Sequence, residues 1–339
     1  MLFKKISLLG VTSVLMLGIA ACGAKEETKT NAGAAGDAGK TTGASAPAAI
    51  TGSTAATTKK VTYLGKEYTV PAKSDKIVIT GALESMEDAL VLGVKPVGAI
   101  TVGGKFPAMF AKITDTTQGI GEKTQPSIET ILKLKPDVIL SSTKFPAETG
   151  EKLEKVSTTI PVSHISTDWQ ANLNLLGELT GKQEQAKQAL QAYNSDVKTL
   201  REKVAPVFKD KKVVTVRIRT GSLYIYPADV FFNPSVYEEL GAAVPEEVKQ
   251  AKAQQLISLE KFSEMNPDYV FVQFAEDENK DTPKALDDLK NNPIWKSINA
   301  VKNDHVYVNI VDPLAQGGTL YSKAAFLEGV KKSNIIPTK

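Results

Sequence analysis

The chain has one cysteine and two histidines in 339 residues. A lone thiol excludes a disulfide framework and a cysteine-ligated metal site, so the folded part must be held by apolar burial. His164 and His305 fall short of the several histidines plus a carboxylate that hold manganese or zinc. Haem ligation from the second half of the chain fares no better, because no histidine stands between Val213 and Asp304; Met86 would be an axial ligand without a partner. Catalytic signatures are missing too: there is no Gly-x-Ser-x-Gly elbow and no Gly-x-Gly-x-x-Gly fingerprint. A large excess of either charge is also lacking. The formal charge is +3, and Lys4 and Lys5 supply two of it, so a chain cleaved after them carries about +1. That balance gives no argument for nucleic-acid binding.

What is present begins at the start of the chain. Lys4 and Lys5 precede an apolar run, residues 6–21, too short for a permanent membrane helix. The run ends in Ile19-Ala-Ala-Cys22, which resembles a bacterial lipobox and implies lipidation of Cys22. Gly, Ala, Thr and Ser dominate residues 23–58, a composition that buries too little apolar surface to offset its ordering entropy. The expected layout is a leader over 1–21 and a flexible tether over 22–60, which together place the body on the outer face of a cell membrane. The long tether and Gly23 suit a Gram-positive surface.

From Val61 onward, short apolar runs alternate with amphipathic stretches. Ile77-Val-Ile79, Asp137-Val-Ile-Leu140 and Tyr269-Val-Phe-Val272 read as buried strands, and the interleaved helical patterns predict parallel sheets covered on both faces. One helical stripe is longer than the others: Ala186, Leu190, Tyr193, Val197, Leu200 and Val204 share a face, and Pro206 is expected to end it. The chain thus divides into a lobe over 61–182, a helix over 183–205 and a lobe over 206–339. An internal echo supports two like lobes. The 14 residues from Ser127 to Leu140 align without a gap on those from Ser258 to Phe271, with Ser, Glu, Pro and Asp coinciding. Each copy reads as a Ser-capped helix, a Pro-Asp turn and a strand.

Gly81-Ala-Leu-Glu-Ser85, Leu92-Gly-Val-Lys-Pro-Val-Gly98, the two Ser-x-Glu…Pro-Asp units and Phe232-Asn-Pro-Ser-Val-Tyr-Glu-Glu-Leu-Gly241 carry a family likeness. Together they resemble the class III (cluster A-II) substrate-binding proteins of iron-siderophore, haem and cobalamin importers. The resemblance implies an α/β fold of two Rossmann-like lobes joined by a single long rigid helix, with the ligand cleft between them. It implies a monomer without enzymatic activity. The partners it implies are a FecCD-type ABC permease dimer and its ATPase, docked through one acidic residue per lobe. By position in the repeat these are Glu129 and Glu260, each also in a first helical turn where a carboxylate complements the macrodipole.

Ligands of open α/β sheets bind beyond the carboxyl ends of the strands. Alternation along Val213-Val-Thr-Val-Arg-Ile-Arg219 puts Arg217 and Arg219 on one face, where two guanidinium groups about 7 Å apart repel unless an anion lies between them. An acidic residue of the chain or an anionic ligand would serve, and either arginine suits the contact. Lys105 and Lys144 follow first-lobe strands and each precedes Phe, so an ammonium could face an anionic chelate while a ring packs on its rim. Tyr224, Tyr226 and Tyr321 are further candidates, though strand tyrosines more commonly pack. A basic ring of this kind resembles the catecholate binders of the family and points to a ferric siderophore. Iron would enter only as part of that cargo, with no intrinsic cofactor. Hydroxamate or citrate siderophores, haem and cobalamin stay open as cargoes, and an extracellular enzyme is the alternative of another class.

Overall fold

The structure is a computed structural model that describes residues 57–336. The leader, Cys22 and nearly all of the tether lie outside the described residues. The body begins with a hairpin absent from the sequence reading, β1 (Thr58–Tyr63) and β2 (Lys66–Pro71), closed by Leu64 and Gly65 at φ 46 and 78. Two successive left-handed residues match the right-handed twist of the paired strands.

The first lobe follows with β3 (Ile77–Ile79), α1 (Leu83–Leu92), β4 (Gly98–Thr101), α2 (Ala111–Thr114), β5 (Gln118–Glu122) and β6 (Gln125–Pro126). It continues through α3 (Ile128–Leu134), β7 (Val138–Ser142), α4 (Ala147–Glu154), β8 (Thr159–Val162) and α5 (Trp169–Thr180). Its sheet has the order β6-β5-β4-β3-β7-β8 and is parallel except at the β6 edge. Gly93, at φ 59, closes α1 in the left-handed conformation.

The long helix α6 spans Gln183–Phe208. Its buried stripe is Ala186, Tyr193, Leu200, Val204 and Phe208, on the three-four spacing of one face. Pro206 does not end it. A proline this close to the carboxyl end forfeits a single N–H donor, and the last turn is retained because Phe208 is buried edge-on against Tyr269, with ring centroids 5.3 Å apart.

The second lobe contains β9 (Val213–Arg219), β10 (Ser222–Ile225), α7 (Glu246–Gln250), β11 (Gln255–Leu256), α8 (Leu259–Met265) and β12 (Tyr269–Phe274). Then come α9 (Ala285–Asn291), α10 (Pro293–Lys296), α11 (Asn299–Lys302), β13 (Val306–Val308) and α12 (Leu320–Lys332). The sheet order is β11-β10-β9-β12-β13. Only β9, β12 and β13 run parallel. The expectation of an all-parallel sheet fails at β10, which Thr220 and Gly221 (φ 47 and 76) fold directly back on β9.

The two copies of the repeated unit share the same serine cap and the same aspartate tie to a neighbouring strand. Ser127 Oγ accepts the Thr130 N–H, and Ser258 Oγ accepts the Lys261 N–H. Lys135 and Asn266, at φ 49 and 47, close the two helices. The following Asp then ties the neighbouring strand. Asp137 donates its N–H to Lys76 O (2.9 Å) while its Oδ2 accepts from the Asp75 and Lys76 amides. Asp268 does the same to Lys212, donating at 2.8 Å and accepting at 2.9 Å. The two helices of the repeat, α3 and α8, cover the far faces of the two sheets through Ile131 and through Phe262 and Met265.

The near faces share one core with α1, α5, α6 and α12, so the lobes meet over continuous apolar packing. Buried charge ties the second lobe to α6. Lys323 of α12, fully enclosed, bonds Glu239 (2.9 Å) and Ser235 (3.1 Å), and Tyr193 of α6 donates to the other Glu239 oxygen at 2.6 Å. Among the described residues no helix is long and apolar enough to cross a membrane.

Candidate functional site

Between the lobes, at the carboxyl ends of both sheets, lies a cavity of about 90 Å³. Its first-lobe wall carries Glu84 from α1, Lys123 after β5, Lys144 after β7 and His164 after β8. The second-lobe wall carries Arg217 and Arg219 from the end of β9, Tyr226 after β10, Gln254 before β11, Glu278 after β12 and Gln316 after β13.

On the second-lobe wall, a single carboxylate holds both arginines. Arg217 Nε lies 2.8 Å from Glu278 Oε2, and Arg219 Nε lies 3.4 Å from Glu278 Oε1. Arg219 also donates through Nη1 to Gln254 Oε1 (2.6 Å), which accepts from the Tyr226 hydroxyl at 3.1 Å. The Arg217 guanidinium stands 5.8 Å from the Phe231 ring centroid. Strand alternation explains why both arginines reach one wall: Val214, Val216 and Ile218 take the other face and its core.

The first-lobe wall is built of point charges. Lys144 Nζ is 3.3 Å from Glu84 Oε1. Burial raises the Glu84 carboxyl, but Lys144 and Lys123 outweigh it and hold the group below its ordinary value, so it stays ionised. Burial pushes the Lys123 ammonium down; Glu84 draws it up, and Lys144, Arg217 and Arg219 push it further down. His164 donates to or accepts from Thr143 Oγ1 at 2.8 Å. Burial, then Lys144, lower its pKa, which favours the neutral ring. With His164 neutral, four cations stand against two carboxylates, and the wall carries a formal charge of +2. Such a cavity attracts an anion with several negative charges far more strongly than a neutral one.

Hydrogen bonds close the site across the lobes, among them one from Ser166 Oγ to Phe231 O at 3.3 Å. Lys123 Nζ meets Gln316 Oε1 at 3.4 Å, and the Gln316 N–H donates to Glu87 Oε1 at 2.8 Å. Glu87 Oε2 accepts from Ser322 Oγ (2.6 Å) and from Thr319 Oγ1. Thus α1, which carries Glu84 to the cleft, also grips the start of α12 one turn later.

These features suit capture of a polyanion between two walls. The periplasmic binding protein family matches residues 78–309. The chain belongs to that family. The chain is 53% identical over 325 residues to the iron-uptake system-binding protein of Bacillus subtilis, covering 96% of this chain and 97% of that one. A solved structure of the triscatecholate siderophore binding protein FeuA of Bacillus subtilis, complexed with ferri-bacillibactin, superposes with a TM-score of 0.78 at 57% identity. That match covers 80% of this chain and 96% of FeuA. The iron(3+)-hydroxamate-binding protein FhuD of Bacillus subtilis is 27% identical over 335 residues, covering 97% of this chain and 96% of that one.

Of the residues proposed from sequence, Lys144, Arg217 and Arg219 come together on the cleft walls. Lys105, Tyr224 and Tyr321 do not line them. Lys105 sits on the return leg of a tight turn in which it bridges to Val102, while Glu122 accepts the Gly103 and Gly104 amides; its side chain is exposed. Tyr224 lies opposite Arg217 in the β9–β10 register but packs on the central core, and Tyr226, two residues on, reaches the cleft instead. Tyr321 is half-buried in the first turn of α12, where burial, then Asp312 and Glu87, raise its hydroxyl pKa. Glu129 and Glu260 are exposed in the first turns of α3 and α8, as the repeat requires, and Lys133 pairs with Glu129 at 2.6 Å.

Sequence reasoning missed Lys123, His164, Gln254 and Glu278. A signal existed for Lys123: it directly follows β5, whose Gln-Gly-Ile-Gly-Glu sequence has too many glycines to read as a strand. Glu278 belongs to a short 3-10 turn, Glu276–Glu278, with no pattern to single it out from its acidic neighbours.

Proposed function

We propose that this protein captures a ferric siderophore of the triscatecholate class outside the cytoplasmic membrane and delivers it to an ABC permease. The observation that carries this reading is the convergence of Lys123, Lys144, Arg217 and Arg219 on one interlobe cavity. A ferric triscatecholate is a compact trianion, and arginine forks with mobile ammonium groups offer charge-assisted bonds around its periphery. The ligand named for FeuA supports the same class. A neutral ferric hydroxamate would gain little from four cations, so the likeness to FhuD carries less weight here. The role is that of a binder, not an enzyme, with iron present as cargo.

Quenching of tryptophan fluorescence by ferric triscatecholate, ferric hydroxamate and ferric citrate tests the reading. Saturable quenching is expected with the triscatecholate at the lowest concentration, and flat titrations with all three would overturn it. Lipidation of Cys22 would hold the protein at the membrane, while Glu129 and Glu260 would dock on the permease dimer. Charge reversal by Glu129→Lys and Glu260→Lys is then expected to stop uptake by cells with ligand affinity unchanged. A parallel loss of affinity would assign the two carboxylates to folding.

A further inference from the structure

Glu278 is not an incidental surface acid. Its side chain is 18% exposed and that of Arg217 only 8%. The turn that carries it is tied to the strand that carries the arginines. The Thr220 N–H donates to Glu278 O at 3.1 Å, and Asn279 Nδ2 donates to Ile218 O (3.0 Å) and Ala275 O (2.8 Å). Asn279 Oδ1 in turn accepts the Gly221 N–H at 3.0 Å. The carboxylate is therefore fixed between the two guanidinium groups, where it takes the Nε side of each. Among the described residues, the Nη nitrogens of Arg217 have no other acceptor.

Resting on the capture of an anionic ferric chelate proposed above, we infer that Glu278 is a built-in counterion that sets the charge selectivity of the cleft. Glu278 and an anionic ligand compete for the same two arginines. In the empty protein the carboxylate offsets two crowded, partly buried cations that would otherwise be uncompensated. In the filled protein it repels the ligand, and that repulsion grows with ligand charge. Glu278 therefore stabilises the empty cleft, holds down affinity for trianions and hardly affects neutral ligands. Limited affinity in turn leaves the cargo releasable to a permease. A purely structural acid would behave differently, because its removal would lower stability and affinity together.

The test compares wild type with Glu278→Gln, and with Glu278→Ala as a second neutral replacement should the first not fold. Each is titrated with a trianionic ferric triscatecholate and a neutral ferric trishydroxamate, and the melting temperature of the empty protein is recorded. The neutral variants are expected to bind the trianion about tenfold tighter or more, the worth of one charge-assisted contact. Affinity for the trishydroxamate is expected to stay within about twofold, well under one such contact, while the empty protein melts at lower temperature. Unchanged or weaker binding of the trianion by the variants overturns the counterion role and leaves the capture reading intact. Failure of the wild type to bind the trianion overturns the capture reading and this inference with it.

Discussion

The two lobes share a repeated unit with the same cap and strand tie, yet arm the cleft with different chemistry. The first lobe presents Lys123 and Lys144 with Glu84 as their carboxylate. The second presents Arg217 and Arg219 with Glu278. Lysine is a compact point charge on a flexible stem, whereas arginine is a planar fork that loses less freedom per bond formed. Burial singles out one arginine, since the Arg219 side chain is 39% exposed. The Lys144 side chain is 45% exposed against 8% for Arg217. Common scaffolding thus leaves the strand ends free to diverge, and the arginine wall is the pre-organised one.

The largest expected effect breaks that asymmetry directly. Replacing Arg217 and Arg219 together by Ala removes two charge-assisted contacts and is expected to weaken an anionic chelate by about 3–6 kcal/mol. Replacing Lys123 and Lys144 together is expected to cost about half as much, because mobile ammonium groups return part of their interaction as side-chain entropy. Equal losses in a titration of the two double variants would remove the distinction between the walls.

The seam between the lobes gives the next effect. Burial pushes the Glu87 carboxyl from 4.5 up to about 7, against the lowering bonds from Ser322, Thr319 and the Gln316 amide. Its neighbour Asp88, raised by burial and then by Glu87 and Glu84, is held well above its ordinary value and has an unpartnered oxygen. Between those two pH values the folded state binds the extra proton, so stability is full below the lower value and falls as pH rises through the upper one. The Glu87 contribution amounts to about 3 kcal/mol across that window. Melting temperatures are expected to fall as pH rises through this range, and Glu87→Gln is expected to flatten that part of the profile. A slope unchanged in the variant would place the titration elsewhere.

The smallest effect sharpens the likeness of the lobes. Asp137→Ala removes acceptance from two amides and Asp268→Ala from one. The losses in denaturant unfolding are expected at about 1–3 kcal/mol each, with Asp137 the larger. The reverse order would mean that the two strand ties differ in burial more than in bond count.

Much of the fold was legible in local pattern. The apolar runs at Ile77, Val138 and Tyr269 became central strands, and the serines before α3 and α8 became caps, because each depends on neighbours a few residues away. The strands β10 and β11 were not legible, since hairpin return at Thr220 and Gly221 needs φ values that Thr seldom adopts. Lys105 and Lys144 looked alike in sequence: each follows a strand and precedes Phe. Only the Val102–Lys105 turn separates them, by sending Lys105 to the surface.

The sequence by itself determined what local geometry can carry: two like lobes, one long helix, and two arginines on the same side of a strand. Alternation and helical spacing act within a few residues, so they survive without knowledge of the fold. Only the tertiary structure decided which charges meet. Lys123 and Gln316 are 193 residues apart and touch across the cleft, and Glu278 reaches two arginines about 60 positions earlier through a turn with no pattern of its own. Charge acts through space, so its arrangement becomes visible only when packing brings distant strand ends together.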